Sequence, residues 1–187
     1  MSVAVFGMGP IGLMMQQLAR AAGAAKVFAI GVNDYRLEAA QALGADLVLN
    51  TRESTSPFYC VDVKAAIADA TGGAMADRAL VATGAVPAME SALEITGRRS
   101  VIVYFGLPGD DARVALPALQ SILWDKTIRF SWLAPNTWPA ALDALAGGLI
   151  DTKPLVSKTI PLEDTVKGIE AARTREGNPM KIVVTPS

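Results

Sequence analysis

Short apolar runs that end on glycine alternate with stretches of helical spacing along most of the chain. Ser2-Val3-Ala4-Val5-Phe6 is the first run and stops at Gly7. In residues 10–22, Ile11, Met14, Met15 and Leu18 recur at i, i+3, i+4 and i+7, which predicts a helix with that apolar face, closed by Gly23. Residues 26–30 repeat the strand pattern and close on Gly31. Residues 34–43 return to helical spacing up to Gly44, and 47–49 reads as a third strand. Residues 51–60 are polar and contain proline, so they read as loop, and 61–70 is a helix ended by Gly72 and Gly73. Further strands are predicted at 79–82, 101–105 and 128–133, and helices at 86–95, 116–124 and 138–149, with a loop at 107–112. Strands that read as unbroken apolar runs are buried on both faces. The alternation therefore predicts an α/β fold, a doubly wound parallel six-stranded sheet of Rossmann type. From Pro154 the rhythm changes. An apolar stretch at 155–160, a helix at 162–173 and a last strand at 181–185 follow with no evident crossover, so a domain over 1–152 and a separate tail over 153–187 are expected.

Composition narrows the function classes. The 187 residues are 51% hydrophobic and 19% charged with a net charge of -1, which excludes a disordered chain and gives no electrostatic reason for a nucleic-acid or membrane partner. No apolar run approaches the roughly 20 residues that span a bilayer. Cys60 is the sole cysteine, so no intrachain disulfide can form, which suits a reducing, cytoplasmic setting. Cys60 has no basic neighbour and is read as an inert thiol. The chain has no histidine, which removes a Ser-His-Asp triad, a His general base and any His-ligated metal; multi-cysteine zinc sites go with the missing cysteines. No catalytic or metal-ligating residue is assigned, and difficult chemistry must come from a cofactor or from another polypeptide.

Gly7-Met8-Gly9-Pro10-Ile11-Gly12 is the strongest motif, a Gly-x-Gly-x-x-Gly between a predicted strand and a predicted helix. Gly7 permits the tight turn, Gly9 lets the backbone approach a pyrophosphate, and Gly12 permits close helix–strand contact. Pro10 fits the first helical turn but donates no hydrogen bond, which leaves Ile11 and Gly12 as donors to an anion. The competing reading is a glycine turn with no ligand. About 20 residues further on, where a carboxylate would hold the ribose of NAD, the strand tip is Gly31, followed by Asn33 and Arg36. Without a carboxylate at Gly31 a 2′-phosphate is not repelled, and Arg36 or Asn33 can reach it. Both NADP and NAD stay open, with the balance toward NADP. Asp34 is the rival candidate for the ribose, and it also suits a helix N-cap.

These residues resemble the cofactor-binding domain of the zinc-dependent medium-chain alcohol dehydrogenases, in their sorbitol and threonine dehydrogenase branch. The resemblance rests on residues 3–12, on Ala39-Ala40-Gln41-Ala42-Leu43-Gly44-Ala45-Asp46, on Ala82-Thr83-Gly84, on Asn136-Thr137-Trp138-Pro139, and on 153–156 with 160–164. It implies an NAD(P)-binding domain of an enzyme that transfers hydride between nicotinamide and an alcohol or carbonyl substrate. By the same resemblance Thr83 and Gly84 lie on the ribose and nicotinamide side, Phe105, Gly106 and Leu107 meet the carboxamide, and Arg36 lies beside the adenosine ribose. Zinc belongs to a catalytic domain that precedes this segment in the family, and the chain begins at the first strand of the nucleotide domain. An excised domain, a truncated product and a stand-alone descendant are the alternatives, and the chain alone is expected to lack zinc catalysis. The tail after Pro154 is expected to fold onto that catalytic domain and to leave apolar surface uncovered without it. Residues 128–133 resemble a strand that pairs across a two-fold axis, which implies a homodimer. Rival readings are a module that senses NAD(P) without catalysis and a scaffold with a vestigial glycine loop. Trp138 and Pro139 are expected to start a helix and pack into the core. Lys64, Asp69, Arg98, Arg99, Asp110 and Asp111 are expected to face solvent.

Overall fold

The first apolar run is buried along its whole length. It forms β1 (Ser2–Phe6), inside a six-stranded parallel sheet, in a computed structural model that describes residues 1–133 and 136–186. The other strands are β2 (Lys26–Gly31), β3 (Leu47–Asn50), β4 (Ala76–Val81), β5 (Thr96–Tyr104) and β6 (Thr127–Phe130). Their order, β3-β2-β1-β4-β5-β6, reverses its direction of growth between β1 and β4, which defines a doubly wound sheet. Successive residues of a strand point to opposite faces. Ala4, Phe6, Phe28 and Ile30 accordingly enter one core with Ile67, Leu93 and Ile102. Val3, Val5, Val27 and Ala29 enter a second core with Leu13 and Leu37. The unbroken apolar strands thus serve two cores, one on each face.

Helices α1 (Pro10–Ala21), α2 (Asp34–Ala42), α3 (Val63–Thr71) and α4 (Val86–Glu94) cover the sheet. Asn33 caps α2, its side chain accepting from the Arg36 amide at 3.2 Å, so Asp34 is the first helical residue and not the cap. Asp62 caps α3 in the same way, and Gly72 ends it in the left-handed conformation.

In α1 the buried residues are Gly12, Leu13 and Gln16, while Ile11 and Leu18 are exposed. The face predicted from Ile11, Met14, Met15 and Leu18 is therefore rotated from the one observed. The cause is the entry turn. Gly12 packs against the Gly7 carbonyl, and residues on its side of the helix must face the sheet. Gln16 is held there by donating from Nε2 to the Ala40 carbonyl at 2.7 Å.

Strands β4 and β5 begin earlier than their apolar runs suggest. Asp77 belongs to β4, and its carboxylate accepts from the Ser2 amide at 2.7 Å while its own amide donates to Ser2 Oγ at 3.1 Å. β5 starts at Thr96, and the pairing with β4 shifts register between Ala76 and Arg78, leaving Arg98 and Arg99 as an exposed corner. Lys64, Asp69, Asp110 and Asp111 are exposed as well.

The far edge is different in character. α5 (Ala118–Leu123) and α6 (Trp138–Ala146) bury no residue. Trp138 does start a helix, but it is 71% exposed and packs no core. β6 stops at Phe130, short of the predicted 128–133, and Phe130 is 81% exposed. Beyond it Leu133 takes a φ of 58°, outside the range of regular strands.

The tail corrects another expectation. A 3-10 turn (Lys153–Leu155) leads to β7 (Lys158–Pro161), α7 (Thr165–Thr174) and β8 (Ile182–Thr185), and β7 pairs parallel with β8. The tail is thus a complete strand–helix–strand crossover with its own two-stranded sheet. Leu155 and Met180 pack into the core that holds Val3, Val5 and Leu13, whereas Val166 and Ile169 of α7 are exposed. No helix among the described residues is long and apolar enough to cross a membrane.

The rotated face of α1 is open to a direct test. Leu13→Ala, at a fully buried position, should lower stability by about 2–5 kcal/mol, while Leu18→Ala should cost under about 1 kcal/mol. Urea denaturation followed by circular dichroism reads both, and equal losses would contradict the orientation described.

Candidate functional site

A cleft of about 630 Å³ opens at the carboxyl ends of β1 and β4, where the strand order reverses. Gly7 and Gly9 form its floor, Gly31, Asn33 and Arg36 its β2 side, and Thr83 its β4 side. Gly7 has a φ of 89°, a conformation suited to glycine, and a Cβ there would also stand 3.0 Å from the Thr83 side chain. A Cβ on Gly12 would lie 2.0 Å from the Gly7 carbonyl oxygen, so glycine is obligatory there. Gly9 is unlike both. Its φ of -80° suits any residue, and the nearest atom to a Cβ would be Arg36 Nη1 at 3.6 Å. The fold does not require glycine at position 9; the bare backbone serves the open cleft above it.

The turn also leaves donors unspent. Gly7 N–H goes to the Ile30 carbonyl at 2.9 Å and Leu13 N–H to the Gly9 carbonyl at 3.0 Å. Between them Pro10 has no N–H, while Ile11 and Gly12, in the first turn of α1, have no intrahelical acceptor. Gly9 contributes no capping side chain, and no acid stands in that turn to neutralise its dipole.

The electrostatics of the walls are one-sided. Arg36, Arg52 and Arg175 line the cleft, and among the described residues no aspartate or glutamate does. Burial, and after it the positive charge of Arg175, hold the Arg36 guanidinium below the ordinary arginine range. Arg36 Nε is sealed from solvent and meets no acceptor among the described residues. A buried cationic donor without a partner is costly unless a ligand supplies one. Asp34, the rival ribose candidate, is committed elsewhere: its Oδ1 accepts from Asn50 Nδ2 and from Ser56 Oγ, both at 2.6 Å.

The remaining predicted residues lie around the cleft rather than along it. Pro10 and Ile11 line a neighbouring cavity of about 420 Å³ beneath the tail. The loops after β4 and β5 pack backbone to backbone: a Cβ on Gly84 would lie 1.8 Å from the Leu107 carbonyl oxygen, and one on Gly106 2.1 Å from the Thr83 carbonyl carbon. The amides of Phe105 and Gly106 both donate to the Val81 carbonyl, at 3.1 and 2.9 Å. Sequence reasoning missed Arg52, which sits in a loop read as featureless, and Arg175, which arrives from the tail. Burial raises the pKa of the Cys60 thiol, in keeping with an unreactive side chain. The described residues contain no group of three or more Asp, Glu, Cys or His side chains able to hold a metal ion, so no zinc step is assigned to them.

The sheet order, the glycine crossover and the cationic cleft define a dinucleotide-binding α/β domain. Residues 10–147 match the family model described as zinc-binding dehydrogenase, and the chain belongs to that family. It is 31% identical over 188 residues to a sorbitol dehydrogenase of Bacillus subtilis, covering 100% of this chain and 50% of that protein. It is 30% identical over 193 residues to an L-threonine 3-dehydrogenase of Bacillus velezensis, covering 99% and 51%. Among solved structures, 2R,3R-butanediol dehydrogenase from Bacillus subtilis superposes with a TM-score of 0.83 at 28% identity, covering 100% of this chain and 51% of that one. The chain thus spans about half the length of the curated relatives it matches.

Gly9 and Gly12 should separate by substitution. Gly12→Ala should lose more than about 3 kcal/mol or fail to fold, because a backbone oxygen cannot yield 1 Å or more. Gly9→Ala should keep its stability within about 1 kcal/mol, the ordinary cost of alanine at an N-cap. Thermal unfolding of the purified variants decides, and a Gly9→Ala loss as large as that of Gly12→Ala would remove the distinction.

Proposed function

We propose that the cleft binds NADP(H) in preference to NAD(H), and that the chain is the cofactor-binding part of a zinc-type alcohol or polyol dehydrogenase. The observation that carries the reading is a strand-switch cleft with three arginines, no carboxylate, and a glycine at position 9 that packing does not demand. Ile11 and Gly12 direct their amides to the diphosphate at the positive end of α1, and Gly7 and Gly9 let it approach the backbone. Gly31, Asn33 and Arg36 face the adenosine 2′ position, where the missing acid removes the usual repulsion of a phosphate. Thr83 and Gly84 border the nicotinamide ribose. Since the Phe105 and Gly106 amides are already bonded to Val81, a carboxamide contact falls to the Leu107 N–H and to the carbonyls of that loop.

When bound, the nicotinamide supplies hydride transfer to or from an alcohol or carbonyl carbon. The contribution of this chain is orientation: it fixes one face of the cofactor against the sheet tips and leaves the other toward a substrate held elsewhere. The described residues offer no cluster to hold a zinc ion, and polarisation of the substrate would have to come from a zinc-bearing partner of this domain. The tail over 153–187 and its exposed Val166 and Ile169 suit contact with such a zinc-bearing part. The exposed edge at β6, with Phe130, suits pairing with a second copy.

Isothermal calorimetry with NAD, NADH, NADP and NADPH tests the reading. Tighter binding of NADP and NADPH than of NAD and NADH is expected, with Gly9→Ala weakening binding by about tenfold or more through contact of its methyl with the diphosphate. No heat with any of the four would overturn it.

A further inference from the structure

At the β2 edge of the cleft a tail residue meets the nucleotide fold. Arg175 ends α7 in the left-handed conformation, at a φ of 59°, and this turn brings the chain back over the cleft. Three residues on, Asn178 Oδ1 accepts from Asn33 Nδ2 at 3.4 Å, which ties the tail loop to the β2–α2 turn. Arg175 therefore stands on the same side of the cleft as Arg36 and Gly31. Both guanidiniums line the cleft, and among the described residues neither belongs to an ion pair. Two like charges converging without a counter-ion, one of them with a sealed and partnerless Nε, are a site for a multiply charged anion.

Resting on the NADP(H) reading above, we propose that Arg175 is a specificity-determining residue, which with Arg36 clamps the 2′-phosphomonoester of NADP(H) so that the tail selects the cofactor. A phosphomonoester carries between one and two negative charges near neutral pH and offers three acceptor oxygens, enough for both guanidiniums. The diphosphate is shared by NAD(H) and NADP(H), so a clamp on it would give no preference. That difference decides the experiment.

Affinities of the 187-residue chain for NADPH, NADH, adenosine 2′,5′-bisphosphate and 5′-AMP are measured by calorimetry, then repeated on Arg175→Asn. Asparagine tolerates a positive φ, so the turn is kept. Loss of one charge-assisted pair should weaken NADPH and the bisphosphate by about tenfold or more, with NADH and 5′-AMP changed less than about twofold. Arg175→Lys should recover part of the loss. If Arg175→Asn fails to fold, Arg175→Gly, at ease at that φ, is measured in its place. Equal weakening of NADPH and NADH would place Arg175 on the diphosphate and overturn the clamp, as would no change in either. A wild-type chain that binds NADH as tightly as NADPH overturns the clamp and the NADP(H) preference but leaves dinucleotide binding standing. A chain that binds none of the four overturns the whole reading, and the clamp with it.

Discussion

The backbone of α1 touches the exit of β1 through Gly12 and the Gly7 carbonyl, with no room for a single added carbon. Much of the molecule is arranged by that contact. It fixes the rotation of α1, so that Leu13 and Gln16 face the sheet and Ile11 and Leu18 do not. It also sets the first turn of α1, whose Ile11 and Gly12 amides lack helical acceptors, beside the carboxyl end of β1. A helix set a few ångströms higher would lose the core contact of Leu13 and the alignment of those amides together.

The crevice collects charge that the chain as a whole does not have. A protein of net charge -1 places Arg36, Arg52 and Arg175 around one opening and keeps every carboxylate out of its lining. Asp34 shows how the exclusion is managed: it stands at the start of α2 yet is turned away to Asn50 and Ser56. The tail takes part as well, since the Asn33–Asn178 bond and the packing of Leu155 and Met180 hold it against the nucleotide fold. The cleft wall and the placement of the tail are in this way parts of one arrangement.

The sheet and its order were legible in the sequence because a strand buried on both faces leaves an uninterrupted apolar run, and the first three strands did so. Legibility failed where polar groups are satisfied by distant partners. Asp77 and Arg78 concealed the start of β4, because the Ser2 contacts that make a strand of Asp77 lie 75 residues away in sequence. The face of α1 was misread for a related reason: spacing reports which residues share a side, but a backbone contact chose which side turns inward. Trp138 was misplaced because aromatic size was read as burial, while α6 lies on the exposed edge. The turn at the glycine motif was legible because its geometry is local, and Gly7 and Gly9 line the cleft. Arg175 had no local signal at all, because only the crossover of the tail brings it to the cleft.

Gly31 carries a consequence for how cofactor choice can change in this fold. A Cβ at that position would stand 3.1 Å from Leu37 Cδ2, a tight contact, and 3.5 Å from Met8 Cγ, an ordinary one. An acid introduced there alone would be forced against a fully buried leucine, at the cost of overpacking. Placing a carboxylate at the tip of β2 therefore calls for Leu37 to shift or shrink with it. What can stand at that sheet tip is thus governed by the hydrophobic interior as much as by the open surface beside it.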